Sequence, residues 1–154
     1  ADGLIFSTVE TAEEAKNIRE MCRYPKQGGF RGLGLVRQNK WGLAKDLISD
    51  SPILIAQIET LEAVNNIKDI VGFDYYMIGP YDLSASLGCA AQFDNPLFIK
   101  SVNKVKKHVS SKKMAVHIPN DVKKEIKKYA GYGIIAVGMD TTVLVEAYEE
   151  LQNA

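Results

Sequence analysis

Histidine and cysteine are scarce in this chain, two of each, and the scarcity removes whole classes of chemistry. Cys22 and Cys89 stand far apart without the paired spacing of a zinc site, and His108 and His117 suggest no Cys–His dyad. Two free thiols in a cytoplasmic protein are the expectation. Excess charge is absent too: 19 basic and 19 acidic residues balance, which leaves no electrostatic footprint for nucleic acid. The local basic run Lys123, Lys124, Lys127 and Lys128 reads as a solvated helix face. No apolar run approaches the roughly 18 residues that span a bilayer, so no membrane partner is expected. The opening "ADGLIFSTVE" lacks the basic start and cleavage site of a signal peptide, and it lacks an initiator Met.

The chain that remains has 154 residues, 46% hydrophobic and 25% charged, enough for one domain with a sizeable core. Five short runs, 4–9, 53–58, 73–78, 114–118 and 134–137, are mostly apolar rather than alternating, as in parallel strands covered on both faces. A helix signal follows each. Thr11 and Glu14 form a T-x-x-E capping box, and Thr60 precedes the amphipathic Leu61, Val64 and Ile67. Asn95-Pro96 supplies a cap and an N1 proline before 97–110. Asp121 is expected to open a helix over 122–130, and Thr141 or Thr142 a last one to about residue 152. The order is βα repeated five times, an α/β chain with a parallel sheet. Pattern alone leaves two architectures, an open doubly wound sheet or part of a (β/α)8 barrel. The loosest stretch is 24–42, which holds five of the twelve glycines.

In both architectures ligands bind beyond the carboxyl ends of the strands, so the residue leaving each strand matters. The second strand offers Gln57 and Glu59, two apart and on one face; the third offers Asp82 after a Gly79-Pro80 break. Glu10 and Asp140 leave the first and fifth. Two carboxylates meeting at a pocket mouth repel unless a cation lies between them, and Mg²⁺ commonly takes one or two carboxylates plus water and substrate oxygens. Asp82 could equally cap a helix near Leu83, and Glu59 could be a first-turn acid favoured by the helix dipole. A tight turn into a helix would also leave backbone N–H groups near Tyr81, Asp82 and Leu83 free for an anion. Metal plus amides would suit a small 2-oxo acid.

The stretches "IAQIETLEAVNNI", "DYYMIGPYDLSASLG" and "IIAVGMDTTVLVEA" resemble the HpcH/HpaI aldolase family of metal-dependent pyruvate aldolases, which includes 2-dehydro-3-deoxyglucarate aldolase. "STVETAEEAKNI" and "CRYPKQGGFRGLG" fit the same pattern upstream. The resemblance implies five βα units equivalent to strands 4–8 of a TIM barrel, forming one partial domain over 1–154. It implies reversible cleavage of a 2-keto-3-deoxy sugar acid or related 4-hydroxy-2-oxo acid to pyruvate and an aldehyde. It further implies Mg²⁺ or Mn²⁺, with Co²⁺ possible, held by Glu59 and Asp82. Gln57 would line the pocket, and Gly79, Pro80, Tyr81 and Asp82 would bind substrate, their amides on the pyruvate carboxylate. Homo-oligomers, hexamers in this family, are implied as well.

Two departures accompany the resemblance. Lys26 stands where the family has a second proline, and Gly28-Gly29 looks like a one-residue insertion, so Arg31 is given no catalytic role. The match also begins at about the family's fourth strand, and no residue here corresponds to its catalytic arginine or its proton-transfer histidine. The catalytic groups are therefore unknown, and His117, at the end of the fourth strand present, is a weak substitute. The expectation is a piece of a longer enzyme with little activity alone. The alternatives are a half-barrel assembly module, non-catalytic or completed by a partner chain, and a lyase of the same superfamily acting on acyl-CoA.

Overall fold

The computed structural model describes residues 1–44, 51–119 and 122–153. Its five strands are β1 (Gly3–Phe6), β2 (Ile53–Ile58), β3 (Tyr75–Ile78), β4 (Met114–Ile118) and β5 (Ile134–Val137). They form one parallel sheet in the order β1-β2-β3-β4-β5. That order decides between the two architectures. A doubly wound sheet needs the strand order to reverse, whereas sequential strands with right-handed crossovers keep every helix on one face and let the sheet curl. The result is a curled half-barrel of βα units.

The strands divide their side chains by parity. Leu54, Ala56 and Ile58 of β2, Tyr76 of β3 and Met114 of β4 pack with Ala15, Ala63, Val64, Phe98 and Val105 in the layer between sheet and helices. Leu54, Ile58, Phe73, Ile70 and Leu83 are fully buried there, each worth about 1.5–3 kcal/mol relative to exposure. The opposite face carries a smaller cluster, Ile55, Met77 and Ala115 with Tyr75 and Ile134. On that face Ile5 and Ile53 remain exposed. Continuing its parity to the carboxyl ends brings Gln57 and Glu59 from β2, Gly79 after β3 and His117 from β4.

The helices start where the caps are. At α1 (Ala12–Cys22) Glu14 N–H donates to Thr11 Oγ1 at 3.2 Å and Thr11 N–H to Glu14 Oε2 at 3.0 Å, the full capping box. Thr60 Oγ1 accepts from Ala63 N–H at 3.1 Å ahead of α2 (Leu61–Asn66), and Asn95 Oδ1 from Leu97 N–H at 2.9 Å ahead of α4 (Pro96–His108). Between them α3 (Pro80–Ser86) follows Gly79 directly.

Several elements differ from the sequence expectation, β3 among them, which starts at Tyr75 rather than Phe73. β1 ends at Phe6 rather than Val9, because Thr8 takes a left-handed backbone (φ 53°) and Val9 drops into the core as a loop anchor. The helix expected over 122–130 is a single turn, α5 (Val122–Glu125), continued as a 3₁₀ turn over Ile126–Tyr129; Asp121, its expected start, lies outside the described residues. Like charges four apart, Lys123 with Lys127 and Lys124 with Lys128, weaken an α-helix there. The last helix, α6 (Asp140–Gln152), starts one residue earlier than expected and buries none of its side chains.

Candidate active site

Glu59 leaves the end of β2 with its side chain 4% exposed. It precedes the α2 N-cap, Thr60, so it is not a first-turn acid of that helix. One carboxylate oxygen, Oε1, accepts two hydrogen bonds from one residue: Thr8 N–H at 2.7 Å and Thr8 Oγ1–H at 2.9 Å. Among the described residues the other oxygen, Oε2, accepts none. It lies against Gly79, where a Cβ would fall 2.7 Å from Oε2, 2.8 Å from Glu59 Cβ and 2.9 Å from Gln57 Nε2. Glycine at this position is therefore a steric requirement: the notch beside Glu59 and Gln57 exists because no side chain fills it.

The chain enters α3 immediately afterwards. Gly79 is the N-cap, its own N–H donating to Ile58 C=O at 3.1 Å, and Pro80 opens the helix. Asp82 thus sits inside the first turn rather than at the cap. Its side chain is exposed and has no hydrogen bond or ion pair among the described residues. The N–H groups of Tyr81 and Asp82 are left over by the geometry of a helix start. The Tyr81 ring turns away to meet Phe93 edge-on at 5.1 Å. The structure therefore brings Gln57, Glu59 and Gly79 into contact, with Pro80, Tyr81 and Asp82 the next residues along the chain.

The other acids at strand ends are committed elsewhere. Glu10 Oε1 accepts from Thr60 Oγ1–H at 2.6 Å, while its carbonyl accepts from Asn66 Nδ2–H at 2.9 Å. Asp140 Oδ1 accepts from Thr141 N–H at 2.8 Å. His117 holds the Gly138 carbonyl at 2.9 Å through Nε2, one strand beyond Gly79 on the same face. His108 is exposed on α4, with Nδ1 2.9 Å from Lys104 C=O. Arg31 stacks its guanidinium 4.6 Å over the Tyr24 ring. Burial pushes the Cys22 thiol up, which keeps it in the unreactive protonated form at neutral pH. Among the described residues no lysine, arginine or histidine hydrogen-bonds or ion-pairs with Gln57, Glu59 or Asp82. Nor do three or more His, Cys, Asp or Glu side chains there gather as a ready metal cage. Glu59 and Asp82 offer carboxylate oxygens, which suit a hard cation completing its shell with water and substrate. Thr8 was not visible as a site residue, since its contact with Glu59 spans 51 positions and no local pattern announces it.

This arrangement has relatives. The profile described as HpcH/HpaI aldolase/citrate lyase matches residues 1–147. The chain belongs to the HpcH/HpaI family. A 4-hydroxy-2-oxo-heptane-1,7-dioate aldolase from Salmonella paratyphi A is 34% identical over 163 residues, covering 98% of this chain and 61% of that protein. The structure of an HpcH/HpaI aldolase/citrate lyase family protein from Burkholderia cenocepacia superposes with a TM-score of 0.86 at 25% identity, covering 99% of this chain and 64% of the other. That of an HpcH/HpaI aldolase from Desulfitobacterium hafniense gives 0.78 at 22% identity, with 99% and 63% covered. The chain spans about 61% of the length of the curated HpcH/HpaI relatives it matches. Divalent-metal dependence is general among HpcH/HpaI aldolases. Among the described residues no helix is long and apolar enough to cross a membrane.

Proposed function

We propose that this chain forms the metal- and 2-oxo-acid-binding part of an aldolase that cleaves a 4-hydroxy-2-oxo acid to pyruvate and an aldehyde. The observation that carries the reading is the cluster of Gln57, Glu59 and Gly79 at the carboxyl ends of β2 and β3, with Asp82 in the helix turn that follows. Glu59, through the Oε2 that accepts no hydrogen bond among the described residues, and Asp82 would hold Mg²⁺ or Mn²⁺. When bound, the cation supplies positive charge where the 2-oxo acid gains negative charge as its carbon–carbon bond breaks. The chain's own groups orient the substrate. Tyr81 and Asp82 N–H groups bind its carboxylate at the start of α3, Gln57 Nε2 donates to a substrate oxygen, and the bare Gly79 leaves the space it occupies.

Binding and turnover separate in this reading. No arginine or base is bonded into the cluster among the described residues, so these 154 residues alone are expected to bind cation and pyruvate and to cleave substrate poorly. The test is Mn²⁺ titration followed by electron paramagnetic resonance, with and without pyruvate. Wild type is expected to bind, and Glu59→Gln and Asp82→Asn each to lose about tenfold or more in affinity. Full affinity in both variants would end the metal reading.

A second reading, a half-barrel completed by another copy or another chain, is supported by α6, whose Val143, Leu144, Val145, Tyr148 and Leu151 are all exposed. The first and last strands also each have one unpaired edge among the described residues. Light scattering is expected to give a mass above that of one chain, and a monomer at micromolar concentration would remove this reading.

A further inference from the structure

Thr8 is a β-branched residue in the left-handed region (φ 53°), a conformation that glycine or asparagine adopts far more readily. Such a backbone persists only where its surroundings hold it, and here they hold it on the C-terminal side at four points. Val9 is 1% exposed in the core. Glu10 is tied by its carboxylate to Thr60 at 2.6 Å and by its carbonyl to Asn66 at 2.9 Å. Its N–H donates to Glu14 Oε2 at 2.9 Å. The outcome of this conformation is specific: amide and hydroxyl of one residue both reach Glu59 Oε1, at 2.7 and 2.9 Å.

A carboxylate oxygen has about two lone-pair positions, so two donors saturate Oε1. The oxygen left for anything else is Oε2, on the side of the Gly79 notch. A carboxylate held in this way can bind a cation through one oxygen and cannot chelate it through two. That difference separates metals. Mg²⁺ accepts single-oxygen carboxylates in a tight octahedron, whereas Ca²⁺ gains from bidentate carboxylates in a larger shell.

Resting on the metal reading above, we infer that Thr8 is a positioning residue that makes Glu59 a one-oxygen ligand and so biases the site toward small divalent cations over Ca²⁺. Thr8→Val removes the hydroxyl donor, frees one lone pair of Oε1 and lets Glu59 chelate. Thr8→Ser keeps the donor. Thr8→Gly keeps the amide, lacks the hydroxyl and suits the positive φ, so it carries the test if the valine variant does not fold.

The experiment measures Mn²⁺ affinity by electron paramagnetic resonance, and Mg²⁺ and Ca²⁺ affinity by displacement of Mn²⁺, with circular dichroism melts of each metal-free chain. In Thr8→Val and Thr8→Gly the preference for Mg²⁺ over Ca²⁺ is expected to fall by about tenfold, while Thr8→Ser keeps the wild-type ratio. An unchanged ratio in the first two variants, or an equal loss of both affinities, would overturn the inference and leave the metal site standing. A Glu59→Gln chain that binds Mn²⁺ as wild type does, or a wild-type chain that binds none, would instead overturn the metal reading on which it rests.

Discussion

Glu59 and Asp82 leave neighbouring strands at the same end of the sheet, yet they are built in opposite ways. Glu59 is 4% exposed, with one oxygen doubly bonded to Thr8 and the other against Gly79. Asp82 stands in solvent on the first turn of α3 with no partner among the described residues. A buried carboxylate without donors would be costly, so the fold invests in Thr8 and the loop that holds it; an exposed one needs no such support because water solvates it. The two halves of the proposed clamp therefore differ in when their geometry is set. Glu59 is oriented by folding, and Asp82 is oriented by whatever it binds.

Three substitutions test this contrast by their effect on stability, from the largest to the smallest. Gly79→Ala is expected to cost about 3 kcal/mol, because the new Cβ meets Glu59 Cβ and Oε2 at 2.8 and 2.7 Å and the strand ends must separate. Urea unfolding measures it, and a loss below about 1 kcal/mol would mean that the notch is not packed as described. Glu59→Ala is expected to cost about 2 kcal/mol, since Thr8 N–H and Oγ1–H lose their acceptor in a half-enclosed place. Asp82→Ala is expected to stay within about 0.5 kcal/mol of wild type while losing metal affinity as Glu59→Ala does. If the two alanine variants destabilise equally, the distinction between a folded-in ligand and a solvated one is gone.

Much of this architecture is legible in the residues. The five apolar runs, the Thr11–Glu14 box and the Asn95-Pro96 start depend on local chemistry; the box and the start appear where that chemistry puts them, and each run contains a strand, though β1 and β3 are shorter than their runs. Strand parity alone puts Gln57 and Glu59 on one face, and both lie beside Gly79. What local pattern cannot carry is order across the sheet: barrel-like and doubly wound chains have the same apolar runs, and only the pairing of β1 through β5 separates them. Val9 departs from its local pattern for a related reason. An apolar residue next to a strand looks like more strand, but here it fills the core from a loop. Thr8 was invisible because its propensity argues against the conformation it adopts. The stretch 122–130 failed in the other direction, its helical spacing outweighed by lysines that repel along one face.

One consequence of α6 concerns measurement. None of its thirteen residues is buried, and an isolated helix of that length is marginal in water, held by little beyond its own backbone bonds. Its amide protons are then a calibrated gauge. In an uncovered helix they exchange with solvent deuterium almost as fast as those of a free peptide, while the amides of β2 and β3 exchange only when the whole chain unfolds. Any surface that settles on Val143, Tyr148 and Leu151 slows that exchange, and the logarithm of the slowing reads the free energy it contributes, so the chain carries an internal meter of its own assembly.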